Sequence, residues 1–348
     1  MVPFAGYELP LHYGSLLEEH HAVRTGAGIF DVSHMGRLKF TGRHARRFLE
    51  RICTRRVSDM QAGQCRYSLV CNEAGGVRDD VIVYRFEEHW LIVCNASNRG
   101  KLLEHFEQQR GDLAVKIEDQ TDATAMIALQ GPKVMELIGQ FSREVPTLRR
   151  YQFAVKNLLI LKLTISRTGY TGEDGVEVIL PAGMTGMALK LFLGKAGDAI
   201  RPCGLGARDT LRTEAGMPLY GHELSEEIDP ISAGLGFAVS LDKGGEQEPT
   251  RFIGQDALEK IAAAGPTRKL VGLKIDGRRS PRQHMTVRSG QAAVGQVTSG
   301  CLSPTLGYPI AIAYVDAVHA APDTRLSIDF GAEPCDAQVV PLPFYKRT

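Results

Sequence analysis

An α+β fold of two or three domains with mainly antiparallel sheets is the class this sequence predicts, and three observations carry it. The chain has 348 residues, 43% of them hydrophobic, and a single core stops growing at roughly 250 to 300 residues. Its 37 glycines and 17 prolines punctuate many short runs of β-branched and aliphatic residues, the composition of short strands joined by tight turns. Helical periodicity occurs between those runs, without the regular strand–helix–strand alternation of a doubly wound sheet.

The elements follow in order. Ala45, Phe48, Leu49 and Ile52 recur at helical spacing within residues 42–54, so that segment reads as an amphipathic helix. Residues 81–84 and 90–93 read as strands. Ser97 is a candidate cap for a helix whose apolar face is Leu102, Leu103 and Phe106. Strands are expected at 126–129, 158–166 and 176–180, and helices at 132–141, 184–193, 207–215 and 255–264. Residues 270–275, 295–298 and 326–328 complete the strands. After Lys243-Gly244-Gly245-Glu246 the composition shifts to short strands and glycine turns, so a mostly β domain begins near residue 245.

A weak internal echo pairs Gly75-Gly76-Val77-Arg78-Asp79-Asp80-Val81-Ile82 with Gly172-Glu173-Asp174-Gly175-Val176-Glu177-Val178-Ile179. In both, an acidic glycine turn opens an apolar strand. Two related α+β units would produce this, and so would common turn chemistry.

The charges exclude several functions. With 41 basic and 40 acidic side chains the net charge is +1, which argues against a general nucleic-acid or membrane-surface binder. No run approaches the apolar length of a spanning helix, and the start Met1-Val2-Pro3-Phe4 carries no leader pattern, so a cytoplasmic protein is expected. Seven cysteines without a C-x-x-C pair point to reduced, buried thiols. The ten histidines are scattered and no metal set is expected. Zinc-hydrolase, nucleophile-elbow, P-loop and full dinucleotide motifs are all missing.

Three places could carry chemistry. Asp79 and Asp80 are adjacent at the start of a strand, so they point to opposite faces and only one can enter a given cleft; the ordinary alternative is a solvated or backbone-capping pair. Glu177 sits in an apolar strand after a glycine-rich turn containing Tyr170, either exposed on a sheet face or held in a cleft to accept paired N–H donors. Arg208 and Arg212 stand one helical turn apart, and a plain helix surface with Asp209 as a partner explains them equally well.

Taken in order, several stretches resemble the aminomethyltransferases of the glycine cleavage system, the T-protein family. They are Phe4-Ala5-Gly6-Tyr7-Glu8-Leu9-Pro10, Phe30-Asp31-Val32-Ser33-His34-Met35, Asn72-Glu73-Ala74-Gly75-Gly76-Val77-Arg78-Asp79-Asp80 and Ala128-Leu129-Gln130-Gly131-Pro132. Further along come Arg167-Thr168-Gly169-Tyr170-Thr171-Gly172-Glu173-Asp174-Gly175-Val176-Glu177, Gly206-Ala207-Arg208-Asp209-Thr210-Leu211-Arg212, Val297-Thr298-Ser299-Gly300 and Pro343-Phe344-Tyr345. The resemblance spans nearly the whole chain. It implies a three-lobed folate-binding fold: two related antiparallel α+β domains and a C-terminal distorted jelly roll. The first domain is split, 1–38 with 138–244; the second is an insertion at 39–137; the β domain covers 245–348.

The resemblance also implies the reaction. An aminomethyl group on the lipoyl arm of the carrier H-protein gives its carbon to tetrahydrofolate and ammonia leaves, with other glycine cleavage components as partners and no metal. By position Asp80 resembles the catalytic carboxylate, Glu177 the pterin anchor and Tyr170 a ring contact. Arg208 resembles a polar contact to folate, Arg347 a contact to its carboxylate tail, and Met35 a packing residue in the same hole. The sequence departs from the family's habit in starting late and in carrying Phe237 where tryptophan is common. The same scaffold serves folate-dependent demethylases, which are the alternative reading, and the folate domain of sarcosine-type dehydrogenases. An iron–sulfur assembly relative is marked by K-G-C-x-x-G-Q-E, where this chain reads Arg167-Thr168-Gly169-Tyr170-Thr171-Gly172-Glu173-Asp174.

Overall fold

The computed structural model describes residues 1–158, 161–246, 249–331 and 333–347. A short hairpin, β1 (Val2–Phe4) and β2 (Tyr7–Leu9), leads into α1 (Leu16–Thr25) and β3 (Gly28–Asp31). Next come β4 (Gly36–Thr41), α2 (Ala45–Ile52), β5 (Gln64–Cys71), β6 (Val77–Arg85), β7 (Trp90–Cys94), α3 (Arg99–Arg110) and β8 (Lys116–Asp119). These strands form one antiparallel sheet in the order β5-β6-β7-β4-β8.

The chain then returns through β9 (Thr124–Gln130), α4 (Val134–Gly139), β10 (Phe153–Leu158), β11 (Leu161–Ser166), β12 (Gly175–Pro181), α5 (Thr185–Ala196), β13 (Arg201–Pro202) and α6 (Leu205–Glu214). Its sheet runs β10-β11-β12-β9-β3-β13, antiparallel except for the short β13–β3 pair. After α7 (Gln255–Ala264) come β14 (Arg268–Ile275), β15 (Thr286–Ser289), β16 (Ala292–Leu302), β17 (Pro309–Asp316), β18 (Arg325–Asp329) and β19 (Pro334–Val340). They close a six-stranded barrel in the order β14-β17-β16-β15-β18-β19, in keeping with the β-barrel or jelly-roll domain expected at the C-terminal end.

Burial dictates four layers. On β6, Val81 and Val83 join Phe48, Phe106 and Trp90 under α2 and α3, while Tyr84 points the other way. There Cys65, Tyr84, Leu91 and Val93 of the first sheet meet Phe30, Met126, Ala128 and Ile179 of the second. The far face of the second sheet packs Val176, Leu180 and Ile165 against Leu137 of α4 and, half-buried, Phe192 of α5. Two alternating strand faces thus place helices outside and one shared core between the sheets.

Both units share a connectivity: a first strand (β4 or β9), a helix, a three-strand meander whose last strand pairs back onto the first, and a second helix. The echoing segments lie on β6 and β12, which are not equivalent, because β12 corresponds to β7. The units are related by topology, and the shared glycines and aspartates are turn chemistry.

Several expectations need correction. β9 lies within the expected insertion 39–137 yet pairs with β3 and β12, so the inserted sheet runs from Gly36 to Asp119. Ser97 does not cap α3; it lies in a single 3₁₀ turn, and Asn98 occupies the cap position. Of the strand expected at 158–166, residues 159 and 160 lie outside the described set, and 161–166 form β11. The segment from 245 does not enter the barrel directly: Phe252 and Leu258 pack on Leu69, Cys71 and Val77 of the inserted sheet, and barrel pairing starts at Arg268. All seven cysteines are free, five of them buried.

Candidate active site

The turn Asn72–Gly76 sets the register of β6. Asn72 Oδ1 accepts from the N–H groups of Ala74 and Gly76 at 3.1 and 2.9 Å, and its Nδ2 donates to the Glu226 carbonyl at 2.9 Å. Gly76 is required there, since a Cβ would stand 1.7 Å from the Glu226 oxygen. Beyond this turn Asp79 shares a parity with Val81 and Asp80 with Ile82 and Tyr84, so only Asp80 faces the second sheet. Neither is a turn residue, and neither is solvated in the ordinary sense.

Asp80 Oδ2 accepts from the Tyr67 hydroxyl at 3.1 Å and Oδ1 from Asn95 Nδ2 at 2.7 Å. Tyr67 comes from the adjacent strand β5 and stacks on Phe237, centroids 6.0 Å apart at 23°; Phe237 is 65% exposed. Asp79 is fully buried and accepts from Asn95 N at 3.0 Å, Asn95 Nδ2 at 2.8 Å and Asn98 Nδ2 at 2.5 Å. Burial raises both carboxyl groups above the usual range, and the Asp80 charge helps push Asp79 up to about 8. The pair therefore releases its protons in two separated steps.

Across the gap, Glu177 of β12 shares a parity with Ile179 and is almost completely buried. Its carboxylate accepts from the Thr168 hydroxyl, which bonds Ser166 at 2.8 Å, which in turn bonds the Tyr84 hydroxyl at 3.0 Å. Burial raises its pKa above the usual carboxylate range, while the Thr168 hydrogen bond and the charge of Arg208 oppose the rise. The Thr168–Thr171 turn is held by Gln130, whose Nε2 donates to Thr168 O at 3.1 Å and whose Oε1 accepts from the Thr171 hydroxyl at 3.0 Å. Gly169 permits this, because a Cβ there would lie 2.0 Å from that Oε1.

Arg208, on α6, lays its guanidinium 4.7 Å from the centre of the Tyr170 ring, a cation–π contact. The Tyr170 hydroxyl donates to Pro218 O at 2.5 Å, so the ring rather than the hydroxyl is free to meet a ligand. Asp80 and Arg208 both act electrostatically on Tyr170, and Arg208 on Glu177. Asp80, Tyr170, Arg208 and Glu177 therefore form one neighbourhood between the sheets. Met35 packs against the shared core at its edge. Arg347 does not join the group: it ion-pairs with Asp174 at 3.2 Å beside Arg167.

Arg212 is not the surface residue that helix spacing suggests. It is 1% exposed, pairs with Glu223 at 2.8 Å and donates to Ser299 of β16 at 2.7 Å, tying α6 to the barrel. Sequence reasoning missed Tyr67, Asn95 and Thr168, which touch Asp80 and Glu177 from other elements. It also missed His34, buried between Phe4 and Tyr7 with Nδ1 unpartnered. Among the described residues no three His, Cys, Asp or Glu side chains gather as a metal site.

Two facing α+β sheets carry an appended barrel, and each sheet brings one carboxylate, Asp80 or Glu177, into the electrostatic neighbourhood of the Arg208–Tyr170 contact. Residues 1–243 match the GCVT N-terminal domain model and residues 268–346 that of the glycine cleavage T-protein C-terminal barrel domain. The chain belongs to the glycine cleavage T-protein family. It is 47% identical to an aminomethyltransferase of Rubrobacter xylanophilus over 100% of this chain and 91% of the relative. It is 43% identical to one of Streptomyces coelicolor, over 100% and 94%. The crystal structure of the glycine cleavage system aminomethyltransferase T from Bartonella henselae superposes with a TM-score of 0.91 at 30% identity, covering 99% of this chain and 94% of that one. Its enzyme class is therefore aminomethyltransferase, and the demethylase alternative is not favoured.

Proposed function

We propose that this aminomethyltransferase uses tetrahydrofolate as the one-carbon acceptor and a lipoylated H-protein as the donor, with Asp80 as the catalytic carboxylate. The observation that carries the reading is the placement of Asp80 and Glu177 on facing sheets around Arg208 and Tyr170. Glu177 anchors the pterin: two carboxylate oxygens match two adjacent N–H donors on the 2-amino-4-oxo ring. Tyr170 supplies a flat face, Arg208 a cationic contact and Met35 an apolar wall. Arg347, bound to Asp174 three residues before Glu177, reaches the folate carboxylate tail only by exchanging that partner.

Asp80 then faces the folate nitrogens. As the aminomethyl C–S bond breaks, the carbon becomes an iminium cation, and a fixed anion lowers the energy of that developing charge. The bonds from Tyr67 and Asn95 hold the carboxylate in one orientation, so little reorganisation accompanies the step. The folate nitrogen attacks the carbon, loses its proton toward Asp80, and ammonia departs as the second nitrogen closes the methylene bridge.

The donor's docking surface is part of the same proposal. On the outer side of the inserted sheet, Arg46, Arg47 and Arg51 of α2 line a groove of about 1300 Å³ together with Arg110 and Arg251. Arg110 and Arg251 have acidic partners, and Arg46 and Arg47 are exposed. This face would steer an acidic carrier. Among the described residues no helix is long and apolar enough to cross a membrane; a cytoplasmic setting belongs to the proposal. The test is direct: the purified chain, given aminomethyl-loaded H-protein and tetrahydrofolate, should form methylenetetrahydrofolate and ammonia, and should form neither when folate is withheld.

A further inference from the structure

We infer that Arg37 is a positioning residue that fixes the two sheets relative to each other and so sets where Asp80 stands; the catalytic half of this rests on the site reading above. The chain passes between the sheets twice, at residues 32–35 on the way out from β3 to β4 and at residues 120–123 on the way back from β8 to β9. Arg37, the second residue of β4, binds both crossings. Its Nη1 donates to Met35 O at 2.5 Å and its Nη2 to Ser33 O at 3.0 Å, on the outgoing crossing. Its Nη2 also donates to Thr121 O and, at 2.9 Å, to Thr124 O, and its Nε to Thr124 Oγ1 at 2.7 Å, on the return. The backbone joins in, with Arg37 N donating to Thr121 Oγ1 at 3.0 Å and Gln120 N donating to Arg37 O at 2.8 Å.

Three features separate this from ordinary core packing. Arg37 is 0% exposed, and among the described residues no carboxylate lies within ion-pair distance of it. A guanidinium buried without an anion is costly and is tolerated only when its donors are met, and here every acceptor is a carbonyl or hydroxyl of a crossing segment or of Thr124, where the return crossing enters β9. A planar fork with five donors can span two chain segments at once, which an ammonium on a flexible stem cannot. The outgoing crossing also contains His34 and Met35, so the clasp lies against the site. Asp80 belongs to one sheet while Glu177 and Arg208 belong to the other lobe, and the crossings are the only covalent links between the inserted sheet and that lobe.

Arg37→Met and Arg37→Lys should each lower turnover by ~10-fold or more, because small misplacements of a reacting group are expensive, while folate affinity, set mainly by Glu177, Tyr170 and Arg208, changes about threefold or less. Adding Arg37→Met to Asp80→Asn should lower turnover by no more than about threefold further, since the positioning contribution is already lost with the carboxylate. Fully multiplicative losses overturn the inference. Should Asp80→Asn alone keep parent turnover, the site reading fails, and a structural readout then decides for Arg37. Spin labels at Gln108→Cys on α3 and Lys190→Cys on α5, with Cys301 and Cys335 changed to serine, report the spacing of the two lobes. Arg37→Met should broaden that distance distribution, and an unchanged narrow distribution overturns the clasp. If Arg37→Met does not fold, Thr124→Val, which removes the Nε acceptor, takes both measurements.

Discussion

Asp79 and Asp80 start toward opposite faces of the inserted sheet, yet one nitrogen joins them: Asn95 Nδ2 lies 2.8 Å from Asp79 Oδ1 and 2.7 Å from Asp80 Oδ1. Asn95 follows the last residue of β7, so it reaches across the open end of that strand to both carboxylates. The buried member orders Asn95 and Asn98 at the head of α3, and Asn95 in turn orders the member that faces the second sheet.

Asp80→Asn keeps the size and most bonds but removes the anion. Turnover with saturating carrier and folate should fall by ~10²-fold or more, with far less change in folate binding. Asp79→Asn places an amide N–H₂ among three donors, so it should lower stability by about 1 to 3 kcal/mol and act on turnover through Asn95. Parent turnover in both variants would remove the carboxylates from the chemistry.

Glu177→Gln replaces one acceptor with a donor. Folate binding should weaken by roughly 2 to 4 kcal/mol. Because burial disfavours the Glu177 charge, the unliganded protein should melt no earlier than the parent. Calorimetric titration and a melting curve check the two halves separately.

Stability should depend on pH through buried histidines. Burial, aided by Arg208 for His34 and by Arg78 for His105, pushes both down to about 4 from 6.5. The unfolded chain then binds more protons between these values, so the stability present above pH 6.5 is lost as pH falls toward 4. Glu214 follows at lower pH. Burial opposes its ionisation, but His20, Ser303 and Thr305 hold it down at about 2, and its contribution disappears as pH falls from 4.5 through 2. Urea unfolding at stepped pH should show the first loss. His34→Gln should flatten that loss by on the order of 3 kcal/mol at most.

Replacing Arg46 and Arg47 by glutamate should slow association with an acidic carrier and flatten its salt dependence, leaving folate affinity intact. Stopped-flow association at low and moderate salt is the measurement. An unchanged rate at low salt would show that this helix face is only solvated.

Local pattern revealed α7, β7 and β12 because apolar periodicity there is strong, and family motifs pointed to Asp80, Glu177, Tyr170 and Arg208. Other features depend on distant segments. Tyr67 meets Asp80 only because β5 and β6 pair in the register Leu69↔Asp80, and Asn95 matters because β7 stops just before it. Ser97 has a capping side chain, but the turn at Ala96–Asn98 moves the helix start to Arg99. Arg212 has the spacing of a surface residue, and only the barrel's arrival at Ser299 buries it. The tail residue Arg347 has no local pattern to fix its partner, and Asp174 takes it.

The lone tryptophan, Trp90, is 4% exposed in β7 under the Arg85 guanidinium. Emission excited selectively at the tryptophan therefore watches the inserted lobe, and the barrel can lose its structure without changing that signal. Emission and far-ultraviolet circular dichroism will trace the same denaturation curve only if the lobes unfold as one cooperative unit. A gap between the curves would measure how strongly the barrel is coupled to the rest.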